Sequence, residues 1–118
     1  MSSPVRYKTL SDMDYKTVLP AAKKPVIIVF SASWSGSAVI VDTIMEKVIE
    51  QYSDTVEFYK VDIDVNPEVS QFFNVSTVPT LAFFNRGEIL DMVKGFMPKK
   101  KLISRIEHVF QESLSKRA

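Results

Sequence analysis

From Val26 to Phe30 the chain runs through five apolar residues without a polar interruption, all β-branched or aromatic. The run is too short for an ordinary helix and predicts a central strand covered on both faces, as in sheets flanked by helices. From Gly36 the period changes. Ala38, Val41, Ile44, Met45, Val48, Ile49 and Tyr52 recur at helical spacing, with Asp42, Glu46 and Glu50 on the opposite face, which predicts a long amphipathic helix. Val56 to Ile63 returns to strand character. Asn66, Pro67 and Glu68 then supply a cap, a first-turn proline and an acid at the positive end of a helix running to about Phe73.

The second half changes pattern again. Leu81-Ala82-Phe83-Phe84 and Ile89-Leu90-Asp91-Met92-Val93 flank Asn85-Arg86-Gly87-Glu88, a short turn with a glycine available for positive φ, so the two runs predict an antiparallel hairpin. After Gly95 the stripe Leu102, Ile103, Ile106, Val109 and Phe110 predicts a final helix packed back on the sheet. At the other end, Tyr7 to Leu10 suits a short edge strand, and Ser11 and Asp12 are placed to cap a helix reaching about Leu19. The order is β-α-β-α-β-α-β-β-α, an α/β arrangement.

Composition narrows this further. The 118 residues suffice for one domain with its own core and not for two, so 1–118 is expected to be a single domain. Apolar residues at 46% and charged residues at 25% fit an ordinary globular chain. A net charge of +1 predicts no broad pull toward nucleic acid or an anionic membrane. The clusters Lys99-Lys100-Lys101 and Lys116-Arg117 are short and carry no interleaved aromatic residues, so they read as solvated helix faces, not as a nucleic-acid groove. Met1-Ser2-Ser3-Pro4 has neither the charged start nor the apolar run of a signal peptide, and Val26–Phe30 cannot span a bilayer. A cytoplasmic location is therefore expected.

There is no cysteine, which excludes disulfides, thiolate zinc sites and thiol nucleophiles. Asp62-Ile63-Asp64-Val65-Asn66 begins like a calcium loop. Its sixth position is Pro67 instead of glycine, however, and its twelfth is Phe73 instead of a bidentate glutamate, so no metal is expected. Gly36, Gly87 and Gly95 are too widely spaced for a phosphate-cradling loop, and no cofactor is implied.

Four landmarks in this order resemble the thioredoxin family, and the resemblance covers nearly the whole chain. Val26–Phe30 leads into Trp34-Ser35-Gly36-Ser37-Ala38, where the family has a buried strand followed by Trp-Cys-Gly-Pro-Cys. Lys60-Val61-Asp62-Ile63-Asp64-Val65-Asn66-Pro67 looks like the family's third strand and its exit. Val75-Ser76-Thr77-Val78-Pro79-Thr80-Leu81 is similar to the segment whose proline is cis, and Asn85-Arg86-Gly87-Glu88 matches the hairpin turn, with Gly95 on the glycine after the last strand. The resemblance implies a thioredoxin fold: a central mixed sheet of four to five strands with helices on both faces.

It also implies what the chain lacks. Ser35 and Ala38 stand where the family has its two thiols, Ser37 where it has a proline, and Val29 where it has a buried acid, six residues before the first cysteine. Disulfide exchange needs an attacking thiolate and then a second thiol to release the mixed disulfide. A serine hydroxyl is too weak an acid for this, and alanine has no reactive group. Ser35 acting as another kind of nucleophile would need a base within reach. The only histidine, His108, falls off the apolar stripe of the last helix, which this fold places away from the motif, and it reads as a solvated surface residue.

What the resemblance leaves is binding: a redox-inactive protein acting as an adaptor or chaperone-like module for a protein partner with an extended segment or apolar patch. The surface implied comprises Trp34, Ser35, Gly36, Ser37, Val78, Pro79, Gly95 and Phe96. Val39 joins them, because it shares a helix line with Thr43, Glu46 and Glu50 and should be exposed beside Trp34. The alternative is a thiol–disulfide oxidoreductase whose cysteines at positions 35 and 38 were removed by mutation; cysteine codons at those positions in the genome would identify it.

Overall fold

Once the chain is folded, the apolar run at Val26 becomes the middle strand of a five-stranded sheet. A computed structural model describes residues 7–115, with Ala38 described by its backbone alone. Met1-Ser2-Ser3-Pro4, Lys116-Arg117 and the Ala38 side chain, all used above, lie outside the described residues. The elements are β1 (Lys8–Thr9), α1 (Tyr15–Ala21), β2 (Val26–Ser31), α2 (Ser37–Tyr52), β3 (Glu57–Asp62), α3 (Pro67–Phe72), β4 (Thr80–Asn85), β5 (Glu88–Lys94), α4 (Lys99–Val109) and a short α5 (Gln111–Leu114) that the sequence pattern did not separate from α4.

Strand order is β1-β3-β2-β4-β5; β1, β3 and β2 run parallel, while β4 is antiparallel to both β2 and β5. All six β2 residues are buried, as a strand covered on both faces must be. On one face Ile27, Val29, Phe58, Leu81 and Phe83 meet Val41, Met45, Val48 and Ile49 of α2 and Leu102 and Ile106 of α4. On the other, Val26, Ile28, Phe30, Tyr59 and Val61 meet Tyr15 and Leu19 of α1 and Val69 of α3. The predicted sheet with helices on both faces is therefore what forms. The hairpin turn is closed by Arg86 and Gly87, both at positive φ (51° and 82°), a two-residue turn whose twist suits the flanking strands.

Two local expectations are corrected. Asp12 does not cap α1; Asp14 stands at that position, and its carboxylate turns back to accept from the Ser11 N–H at 2.8 Å. Nor does the Asn66 side chain cap α3; it accepts from the Asp12 N–H and donates to the Asp62 carbonyl. The cap of α3 comes from Asp12 instead, whose two oxygens accept the N–H groups of Glu68 (3.0 Å) and Val69 (2.7 Å). These donors have no partner inside the helix, so a carboxylate there satisfies them and meets the positive end of the dipole.

Asp42 also departs from its predicted place. It is half-buried, takes the Lys60 ammonium at 3.2 Å and accepts the Tyr7 hydroxyl at 3.1 Å, while the same ammonium lies 5.2 Å from the centre of the Tyr7 ring. Burial, and then the Asp42 carboxylate, push the Tyr7 phenol far above the ordinary tyrosine range.

Candidate functional site

The sheet register gathers the motif segments at one end. Ser31 at the end of β2 pairs with Asp62 at the end of β3; Phe30 pairs with Thr80 at the start of β4, and Thr80 with Lys94 at the end of β5. The loops leaving those positions must therefore emerge side by side. They carry Trp34-Ser35-Gly36-Ser37, Ile63-Asp64-Val65, Val78-Pro79 and Gly95-Phe96.

Two hydrogen bonds tie these loops together. The Gly95 N–H donates to the Pro79 carbonyl at 2.8 Å, which holds the Phe96 loop against the Val78-Pro79 segment, whose peptide bond is cis. The Trp34 indole N–H donates to Asp64 Oδ1 at 3.2 Å, and the Asp64 N–H donates to Asp62 Oδ1 at 3.0 Å. Sequence reasoning missed Asp64 in this role. No periodicity predicts a bond spanning thirty residues, and only the β2–β3 register brings the two ends together.

The apolar rim is open to solvent. Trp34 is 68% exposed, Val39 73%, Phe96 48% and Ile40, not anticipated from the sequence, 46%. Val78 is half-buried, and its main-chain N–H and C=O have no protein partner among the described residues. Pro79 is buried, so it shapes the loop more than it offers contact area. Gly36 has φ −65° and no atom near where a Cβ would sit, so the helix entry does not require a glycine there. Gly95, at φ +80°, does occupy the region that side chains disfavour.

Chemically the site is bare. Ser35 is half-buried in the loop just before α2, and its N–H donates to the Ala32 carbonyl at 3.1 Å. His108 lines a cleft on α4 with Lys100, Lys101 and Arg105, and no motif residue shares it. Val29, in the position of the family's buried acid, is fully enclosed in the core between the sheet and α2. No described group of three or more His, Asp or Glu side chains could hold a metal ion. No described helix is long and apolar enough to cross a membrane.

Comparison with known proteins agrees with this architecture. The thioredoxin family profile matches residues 6–108. Thioredoxin 1 of Synechococcus elongatus is 32% identical over 98 residues, covering 83% of this chain and 92% of its own length. The thioredoxin of Alicyclobacillus acidocaldarius is 30% identical over 103 residues, covering 87% and 97%. The chloroplastic M-type thioredoxin of Brassica napus is 28% identical over 102 residues, covering 86% of this chain and 58% of that protein. A family profile spanning most of the chain, and two relatives at 32% and 30% identity aligned over 92% and 97% of their own length, place this cysteine-free polypeptide in the thioredoxin family.

Proposed function

We propose that this protein is a redox-inactive thioredoxin-like adaptor or chaperone-like module. It holds an extended segment of a protein partner on the surface formed by Trp34, Ser35, Gly36, Ser37, Val39, Val78, Gly95 and Phe96, with Pro79 shaping the loop beneath. The observation that carries this reading is the free main chain of Val78 beside an exposed apolar rim. An extended segment that paired with the Val78 N–H and C=O would complete their hydrogen bonds, while its side chains covered Trp34 and Phe96. Aromatic side chains in such a place supply large contact area at low entropic cost. Thiol–disulfide exchange is not part of the activity, because that chemistry runs through a thiolate and the chain has none.

The test uses the intact chain as bait in extract from its native cell. A partner recovered by the parent protein should be lost when Trp34, Val39 and Val78 are exchanged together for polar residues, and a disulfide-reduction assay run alongside should show no turnover. Equal recovery by the triple variant would remove the proposed surface; turnover free of contaminating reductase would remove the redox-inactive reading. Trp34 is the sole tryptophan, so its fluorescence reports occupancy of the rim directly.

A further inference from the structure

Lys99, Lys100 and Lys101 form the first turn of α4. All three are exposed, no acid accompanies them, and Pro98 before them provides no side-chain cap. Cations at this end oppose the helix dipole, so the arrangement works against helix stability. Among the described residues no carboxylate lies within ion-pair distance of the three. Acids on neighbouring segments are already engaged, Asp91 with Arg105 at 2.6 Å and Glu107 with the Tyr52 hydroxyl.

The same helix face continues beyond the lysines. Lys100, Lys101, Ser104, Arg105 and His108 share one face and, with Met97, line a surface cleft of about 400 Å³. None of these side chains is buried, so there is no enclosed set of donors to hold a small anion. An open groove headed by unpaired lysines in one helix turn, with Arg105 already held by Asp91, suits a partner segment that brings more than one negative charge to that turn. No aromatic side chain lines it for a base to stack on, which favours carboxylates over nucleic acid.

We propose that this face of α4 docks an acidic protein segment, a run of glutamate and aspartate side chains that neutralises Lys100, Lys101 and their neighbours. The surface is separate from the Trp34 rim, since none of Trp34, Val39, Val78 and Phe96 lines the cleft. It stands or falls independently of the adaptor reading.

The test is an amide-resolved NMR titration of the full chain with poly-L-glutamate, with single-stranded oligothymidylate as the competing probe. Saturable shifts are expected at Lys100, Lys101, Ser104, Arg105 and His108. They should weaken about tenfold or more in the Lys100→Glu/Lys101→Glu double variant and decline with added salt. An acid in that first turn suits the dipole, so the variant should unfold no earlier than the parent. Should it fail to fold, Lys100→Gln/Lys101→Gln takes its place under the same criterion. Absence of saturation, shifts unaltered by removing the two charges, or tighter binding of the oligothymidylate would each overturn the proposal.

Discussion

Lys60 sits opposite Val29 in the β2–β3 register, yet its ammonium reaches past that position to Asp42 on α2, 3.2 Å away. The family resemblance puts a buried acid at position 29. In this protein the carboxylate that answers the lysine stands on the helix at the half-buried margin, and position 29 is fully apolar. Asp42 also takes the Tyr7 hydroxyl, so a single side chain ties the segment before β1, the strand β3 and the helix α2.

Asp42→Ala should cost about 1–3 kcal/mol, because it leaves a half-buried ammonium and a phenol without their acceptor. Urea melts of the parent and variant would measure it, and a loss below a few tenths would show that the trio contributes nothing. Val29→Asp should destabilise by several kcal/mol at neutral pH, roughly the cost of enclosing a carboxylate. Burial would raise the folded pKa of the new acid, so the deficit should shrink as pH falls and the carboxyl is protonated. Adding Asp42→Asn frees Lys60 to turn to its register partner, so the double variant should be more stable than additivity allows. Strict additivity would show that Lys60 does not reach the carboxylate at position 29.

Alkaline unfolding should follow Tyr7. Its phenol is held protonated in the folded chain by burial and by Asp42, whereas in the unfolded chain it ionises near pH 10. A folded pKa raised above the unfolded one stabilises below that pH and loses its contribution as pH rises beyond it. Stability should therefore fall above about pH 10, and Tyr7→Phe should flatten that fall while lowering stability at neutral pH. Ultraviolet titration should show a tyrosine that ionises well above the ordinary range; normal titration of every tyrosine would contradict the Tyr7–Asp42 contact.

The two motif glycines should respond oppositely to alanine. Gly36 has ordinary helical φ and open space around it, so Gly36→Ala should leave stability unchanged or raise it by about 0.5 kcal/mol through reduced freedom of the unfolded chain. Gly95 is at φ +80°, where an L side chain is strained, and Gly95→Ala should cost about 1–2 kcal/mol. Thermal melts of the two variants that moved in the same direction would refute the contrast.

Removing the cap of α3 from a distance should be visible too. Asp12→Ala deprives the Glu68 and Val69 amides of their acceptor and should destabilise by about 1–2 kcal/mol, while Asp12→Asn, which can still accept, should recover part of it. Faster hydrogen exchange at those two amides in the alanine variant is the direct check.

The sequence by itself determined the elements whose signal is local. Val26–Phe30 reads as a doubly covered strand, the stripe from Ala38 to Tyr52 as a helix with one apolar face, and Asn85-Arg86-Gly87-Glu88 as a short hairpin turn, because burial and φ preferences act within a few residues. It determined, through the cysteine count, that no thiol chemistry is available. Tertiary structure alone decided that Asp12 caps α3 instead of α1, that Asp42 turns inward to Lys60 and that Asp64 receives the Trp34 indole. Each of these links residues far apart in the chain, and short polar side chains form whichever hydrogen bond the packed core leaves within reach. That choice exists only after sheet register and helix docking have fixed which distant segments are neighbours.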